Sequence, residues 1–188
     1  MAEALTIARS ELILGGQRSG KSRRAELLAR AWLAQSPGHQ ALLIATGQPH
    51  DAEMRERIAR HQRDRAERVP GLQTVEEPLQ LAHAITTHSR PDTLLVVDCL
   101  TLWLTNHLMP ADGPAGEAPN EALLQSLRTA PGPVVLVGNE IGLGVIPMGR
   151  EVRHFVDTLG RLNQDVARVC ERVTFMAAGL PLALKGQA

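Results

Sequence analysis

Aromatic residues are scarce in this chain: two Trp, two Phe and no Tyr make up 2% of its 188 residues. Single-stranded nucleic acids are bound by aromatic stacking platforms set in a positive groove. Neither is indicated here, because 20 Lys and Arg are balanced by 20 Asp and Glu, so no nucleic-acid partner is expected. The only two cysteines, Cys99 and Cys170, lie far apart and form no CxxC pair; a reduced, buried thiol is expected at each. No apolar run approaches the ~18 residues of a membrane span. The start, MAEALTIARSE, lacks the basic stretch and apolar core of a signal peptide. A cytoplasmic location is the expectation.

What is present is an ordinary globular composition, 44% hydrophobic, at the length of one domain. Continuously apolar runs recur at ELILGG, ALLIATG, TLLVVDCLT, PVVLVGNE and RVTFMAAG, as strands buried on both faces require. Helix-like segments separate them, at 21–35, 51–67, 78–88, 121–128 and 149–170. This alternation predicts a single α/β domain with a mostly parallel sheet flanked by helices. Residues 1–10 are expected as a loose N-terminal extension and 11–188 as the domain. The stretch PADGPAGEAPN predicts a surface loop.

The run GGQRSGKS matches GxxxxGK[ST] at Gly15, Gly20, Lys21 and Ser22, after one predicted strand and at the head of one predicted helix. That context is what a phosphate-binding loop needs. Glycines let backbone N–H groups form an anion nest, the helix N-terminus adds a positive dipole, Lys21 reaches the outer phosphates and the Ser22 hydroxyl ligates Mg2+. The strand TLLVVD ends in Asp98, the shape of a Walker B strand, whose acid orients magnesium or its water shell. A strand-end aspartate is also a common helix cap.

In DAEMRERIARHQRDRAER, Asp51 is placed to cap a helix on which Met54, Ile58 and His61 share one face. Arg57 and Arg65 lie one turn either side of His61. Neighbouring positive charge disfavours the imidazolium, leaving a nucleophilic ring, and guanidinium groups grip phosphates. The helix is thus a candidate phosphoryl or nucleotidyl acceptor, although a histidine beside an apolar face is more commonly structural.

Taken in order, GGQRSGKS, ATG, DAEMRERIARHQRDR, TVEEPLQL, VVDCLTLWLTN and NEIGLGVIP followed by GRLNQDVA resemble the bifunctional adenosylcobinamide kinase / adenosylcobinamide-phosphate guanylyltransferase family. The resemblance spans residues 11 to about 184. It implies a RecA-like P-loop fold, a homotrimer, Mg2+, and two reactions: phosphorylation of adenosylcobinamide by ATP or GTP, then transfer of GMP from GTP through a guanylylated histidine. It assigns His61 and Lys21 as catalytic. Nucleotide contacts fall on Gly15, Gly16, Gln17, Arg18, Ser19, Gly20, Lys21 and Ser22, on Ala45, Thr46 and Gly47, on Gln62, Arg63, Asp64 and Arg65, and on Glu76 and Asp98, with Ser22 and Asp98 at the metal. The link RAERVPGLQ places Leu72 where many relatives carry Trp, which leaves Glu77 as the alternative to Glu76. NEIGLGVIP is either a substrate-side wall or a connecting loop, and Trp103 and the two Phe residues are expected in the core. A P-loop kinase without the transferase step is the alternative function.

Overall fold

The computed structural model describes residues 5–48, 52–111 and 114–186; in the second helix the side chains of residues 53, 54, 57, 58 and 61 lie outside that description. In chain order the elements are β1 (Ser10–Gly15), α1 (Lys21–Gln35), β2 (Gln40–Ala45), α2 (Ala52–Arg68), β3 (Leu72–Glu76), α3 (Leu81–His88), β4 (Thr93–Asp98), α4 (Leu100–Leu108), α5 (Asn120–Thr129), β5 (Val134–Val137), α6 (Arg150–Val169), β6 (Arg172–Ala177) and β7 (Leu180–Lys185). Seven strands form one sheet in the order β3-β2-β4-β5-β1-β6-β7. All neighbours run parallel except β6 and β7.

The apolar strand runs follow from having helices on both faces. Alternate residues of each central strand feed separate cores: Leu12, Leu14, Leu95 and Val97 pack under α3, α4, α5 and α6, whereas Ile13, Leu94 and Val96 pack under α1. Trp103 is fully buried in the first of these, its indole N–H donating to the Leu79 carbonyl (2.9 Å), and Phe155 and Phe175 pack at its margin. All three aromatics are packing groups, as expected.

Three elements differ from the expected set. β3 joins the sheet edge beside β2; its alternation is weak because its residues are half-buried or exposed. Helix α4 begins two residues after β4, so the apolar run of the strand passes into the helix without punctuation. β7 pairs antiparallel with β6 through a two-residue turn in which both Ala178 (φ 51°) and Gly179 (φ 80°) are left-handed, the conformation a tight hairpin demands. Its Pro181 is tolerated because β7 is an edge strand. The expected extension at 1–10 includes residues 1–4, which lie outside the described residues. From there on, Thr6 is gripped by Arg172 through its carbonyl and hydroxyl, both at 2.8 Å.

Glu11 is buried on β1, 1% exposed. Its carboxylate accepts from Arg24 of α1 (3.1 Å), Arg172 of β6 (3.2 Å) and the Thr174 hydroxyl (2.8 Å). A buried carboxylate is tolerable only with such full pairing. Replacing it strands two buried guanidinium groups, so Glu11→Ala is expected to lose about 3–5 kcal/mol of stability, read as a fall of the thermal midpoint on the order of 10 °C.

Candidate functional site

The loop between β1 and α1 needs glycine at both ends. Gly15 has φ 152°, and a Cβ there would stand 2.4 Å from the Met176 carbonyl oxygen of β6. Gly20 has φ 101°, and a Cβ would approach the Gly179 Cα of the β6–β7 turn. Gly179 also donates its N–H to the Ser19 carbonyl (3.0 Å), so the hairpin that the sequence did not announce is the support on which the loop rests. Between the glycines Arg18 is left-handed (φ 56°). Alternation of backbone hand of this kind turns N–H groups toward one concavity, and the first turn of α1 opens on it.

Within this loop Gly16, Gln17 and Arg18 are exposed, Ser19 and Lys21 are buried, and Gly20 and Ser22 are half-buried. Lys21 Nζ donates to the Gly16 carbonyl (2.5 Å) and to Ser19 Oγ (3.5 Å), so the ammonium arches over its own loop. Asp98 is half-buried at the end of β4. Burial pushes the neighbouring Cys99 thiol up to about 11, with the Asp98 carboxylate adding to the rise and Lys21 opposing it. Both charges are thus felt at the Cys99 thiol. Ser22 and Asp98 suit a magnesium ion completed by phosphate oxygens and water, since this ion seldom uses an all-protein cage. Among the described residues no cluster of three or more His, Cys, Asp or Glu offers such a cage.

The strand ends carry the remaining contacts. Glu76, Ala45 and Asp98 are register partners across β3, β2 and β4. Glu76 is exposed. Glu77 is committed elsewhere, since its Oε1 accepts from the N–H groups of Leu79 (3.0 Å) and Gln80 (2.7 Å) and so turns the chain into α3; this starts the helix at Leu81 rather than Pro78. Of the two candidates, Glu76 is exposed at the strand end and Glu77 is bonded within its own turn. Ala45 and Gly47 are half-buried at the rim, whereas Thr46 is fully buried. The Thr46 hydroxyl donates to the Cys99 carbonyl (2.7 Å) and accepts from the Cys99 N–H (2.9 Å), and its own carbonyl accepts from Asn106 Nδ2 (2.8 Å). Thr46 thus braces the backbone that carries Asp98, a role visible only once α4 brings Asn106 into place.

His61 lies in α2, its side chain outside the described residues, as are those of Met54, Ile58 and Arg57; Asp51, expected as the cap, is outside them altogether. Gln62 and Arg63 are exposed. Arg65 was expected to grip phosphate, yet it is buried, directed at Glu26 of α1 (4.0 Å) and Thr74 of β3 (3.4 Å). Asp64 pairs with Arg68 (3.1 Å), which also holds Glu26 (2.8 Å). Arg65 and Arg68 thus tie α2 to Glu26, one turn beyond Ser22 on α1.

The loop after β5 completes the rim. The Asn139 N–H donates to Thr101 Oγ1 (2.9 Å) and the Glu140 N–H to the Gly15 carbonyl (3.1 Å), which ties NEIGLGVIP to the first glycine of the phosphate loop. The chain leaves β1 for α1 on one face and β5 for α6 on the other, and ligand crevices of open α/β sheets lie where neighbouring strands part in this way.

The family model for cobinamide kinase / cobinamide phosphate guanyltransferase matches residues 11–184. The chain belongs to that family. Over 177 residues it is 50% identical to the bifunctional adenosylcobalamin biosynthesis protein CobP of Pseudomonas aeruginosa, covering 94% of this chain and 98% of that protein. Over 187 residues it is 34% identical to the bifunctional adenosylcobalamin biosynthesis protein CobU of Escherichia coli K12, covering 93% and 98%. In fold alone it is similar to the flagellar accessory protein FlaH of Methanocaldococcus jannaschii, with TM-score 0.54 and 11% identity over 97% of this chain and 80% of that one. A solved structure from Pyrococcus horikoshii OT3 is similar at TM-score 0.53 and 10% identity, covering 98% and 90%. The RecA-like P-loop fold expected for the family is thus the fold of this chain.

Two outcomes follow. Gly15→Ala forces the loop off the Met176 carbonyl, and we expect at least about a tenfold loss of Mg–GTP affinity by calorimetry. Cys99 and Cys170, both buried and pushed up to about 11 and about 12, should react with thiol reagents at pH 8 only after denaturation. The folded state holds these protons more tightly than the unfolded one, so stability should fall as pH rises from about 9 toward 11.

Proposed function

We propose that this chain phosphorylates adenosylcobinamide with ATP or GTP and then transfers GMP from GTP to adenosylcobinamide phosphate through a guanylylated His61. The observation that carries this is the glycine-framed nest between β1 and α1, arched over by Lys21, in a chain of the cobinamide kinase / guanyltransferase family.

In the kinase step the nest of Gly15–Ser22 and the Lys21 ammonium present the γ-phosphate. The aminopropanol hydroxyl oxygen of the corrinoid attacks γ-phosphorus, the bond to the β–γ bridging oxygen breaks, the nucleoside diphosphate leaves and the hydroxyl proton passes to solvent. Positioning and charge neutralisation supply most of the acceleration. In the transfer step an imidazole nitrogen of His61 attacks α-phosphorus of GTP and pyrophosphate departs. An oxygen of adenosylcobinamide phosphate then displaces the imidazole, breaking the P–N bond and restoring the histidine. Splitting the transfer into two displacements is the usual gain of covalent catalysis. Magnesium, held by Ser22, Asp98 and phosphate oxygens, would supply charge neutralisation. Glu76, exposed at the end of β3, Gln62 and Arg63, exposed on α2, and the half-buried Ala45 and Gly47 are the residues best placed to contact the nucleotide; Thr46 supports them from below. Assembly as a homotrimer in the cytoplasm completes the proposal; among the described residues no helix is long and apolar enough to cross a membrane.

The test is to incubate wild type and His61→Ala with magnesium and GTP labelled at the α- or the γ-phosphate. Acid-labile α-label on the wild type alone is the expected result; absence of label on both proteins would leave only a P-loop kinase.

A further inference from the structure

The loop after β5 carries an apolar surface that none of the described residues covers. Leu143 is 77% exposed, Ile146 78%, and Val145 and Met148 about 95%. Between this loop and α6 lies a cavity of about 540 Å3, within the ~300–1,000 Å3 range of small-molecule sites. The loop contributes Ile141, Val145 and Ile146, and α6 contributes Asp157, Arg161 and Gln164. Arg153 holds the loop's far end to the helix through the carbonyls of Pro147 (3.0 Å) and Met148.

We infer that this cavity is the corrinoid subsite, seating the amide-fringed edge of the macrocycle while the aminopropanol arm reaches the phosphate loop. The inference rests on the proposed activity. Three observations support it. The near end of the loop is hydrogen-bonded to Gly15 (3.1 Å), so the segment that lines the cavity starts beside the phosphate loop. The lining is chemically double: an apolar wall suits the ring's methylated edge, and Arg161, Gln164 and Asp157, none bonded to another described residue, supply donors and acceptors for side-chain amides. The core of a protein–protein interface is, by contrast, depleted of charge, which argues against a second copy of the chain as occupant. Thirdly, Gly160 lies in the interior of α6 and lines the cavity, yet a Cβ at that position would meet nothing within 4 Å. Glycine weakens a helix there relative to alanine, and packing within the chain does not demand it; the space it leaves belongs to the cavity.

Gly160→Leu puts a side chain into that space from a helix position whose Cβ meets nothing, and Val145→Asp places a charge on a side chain that is 96% exposed. Corrinoid binding is measured by equilibrium dialysis against cobinamide, followed by corrin absorbance, alongside KM for adenosylcobinamide, α-label from GTP, and mass by sedimentation. Both variants are expected to weaken cobinamide binding and raise KM by about tenfold or more, with α-label and mass unchanged. Unchanged dialysis with either variant overturns the subsite, and so does a lower mass in Val145→Asp, which assigns the face to a second copy. Loss of α-label in the wild type overturns the transferase mechanism instead, while dialysis, needing no turnover, still decides the subsite.

Discussion

The ion pairs of Glu11 are the constraint on which the site depends. β1 lies between β5 and β6, and the Glu11 carboxylate faces α1 through Arg24 and β6 through Arg172 and Thr174. One buried charge therefore sets the position of the strand that enters the phosphate loop, the helix that leaves it and the strand whose turn supports it. Buried ion pairs contribute little net stability when an apolar alternative exists, yet they are intolerant of losing one partner. Leucine in place of Glu11 would pack, but it would leave the angle of α1 to be decided by side-chain volume alone. The phosphate loop requires a defined angle, because its N–H groups and the helix dipole must converge on the same small anion.

A second constraint acts on the opposite wall. Asp98 ends β4, and the next backbone unit, Cys99, is bracketed from both sides by the Thr46 hydroxyl, itself held by Asn106. Burial excludes water from competing for these bonds, which makes each polar group costly to leave unpaired. Lys21 and Asp98 are thus each set by a separate framework, one built on a buried charge and the other on a buried hydroxyl. Loops that must accept large ligands are then free to sit outside both.

The legibility of this arrangement from sequence follows the range of the interactions. GGQRSGKS and the strand ending in Asp98 were legible because nest, dipole and strand-end acid are local features with fixed spacing. The helix boundaries at Lys21 and Gln35 were legible for the same reason. A helical wheel puts Arg65 beside His61, but only the fold shows its partners in Glu26 and Thr74. The bracing bonds of Thr46 were not legible because their partner is 53 residues away. β7 escaped notice because LPLALK carries a proline and alternates as an edge strand with both sides exposed, a pattern that periodicity alone does not separate from loop.

α2 differs in kind from the other helices that border the site. Among its described side chains only Arg65 is buried, whereas α1 buries Ala25, Leu28 and Ala29 and α6 buries Leu159, Leu162 and Val166 against the sheet. The described contacts that hold α2 are ionic: Glu26 shared between Arg65 and Arg68, supported by Thr74. An ionic tether fixes direction without burying much apolar area, and local stability scales with the area buried. Among its described side chains, then, α2 is attached to the P-loop helix by charge rather than by apolar packing. Such an attachment suits the role proposed for His61, which would meet first a nucleotide and then a bulky acceptor, since a side chain locked in a close-packed core could approach only one of them.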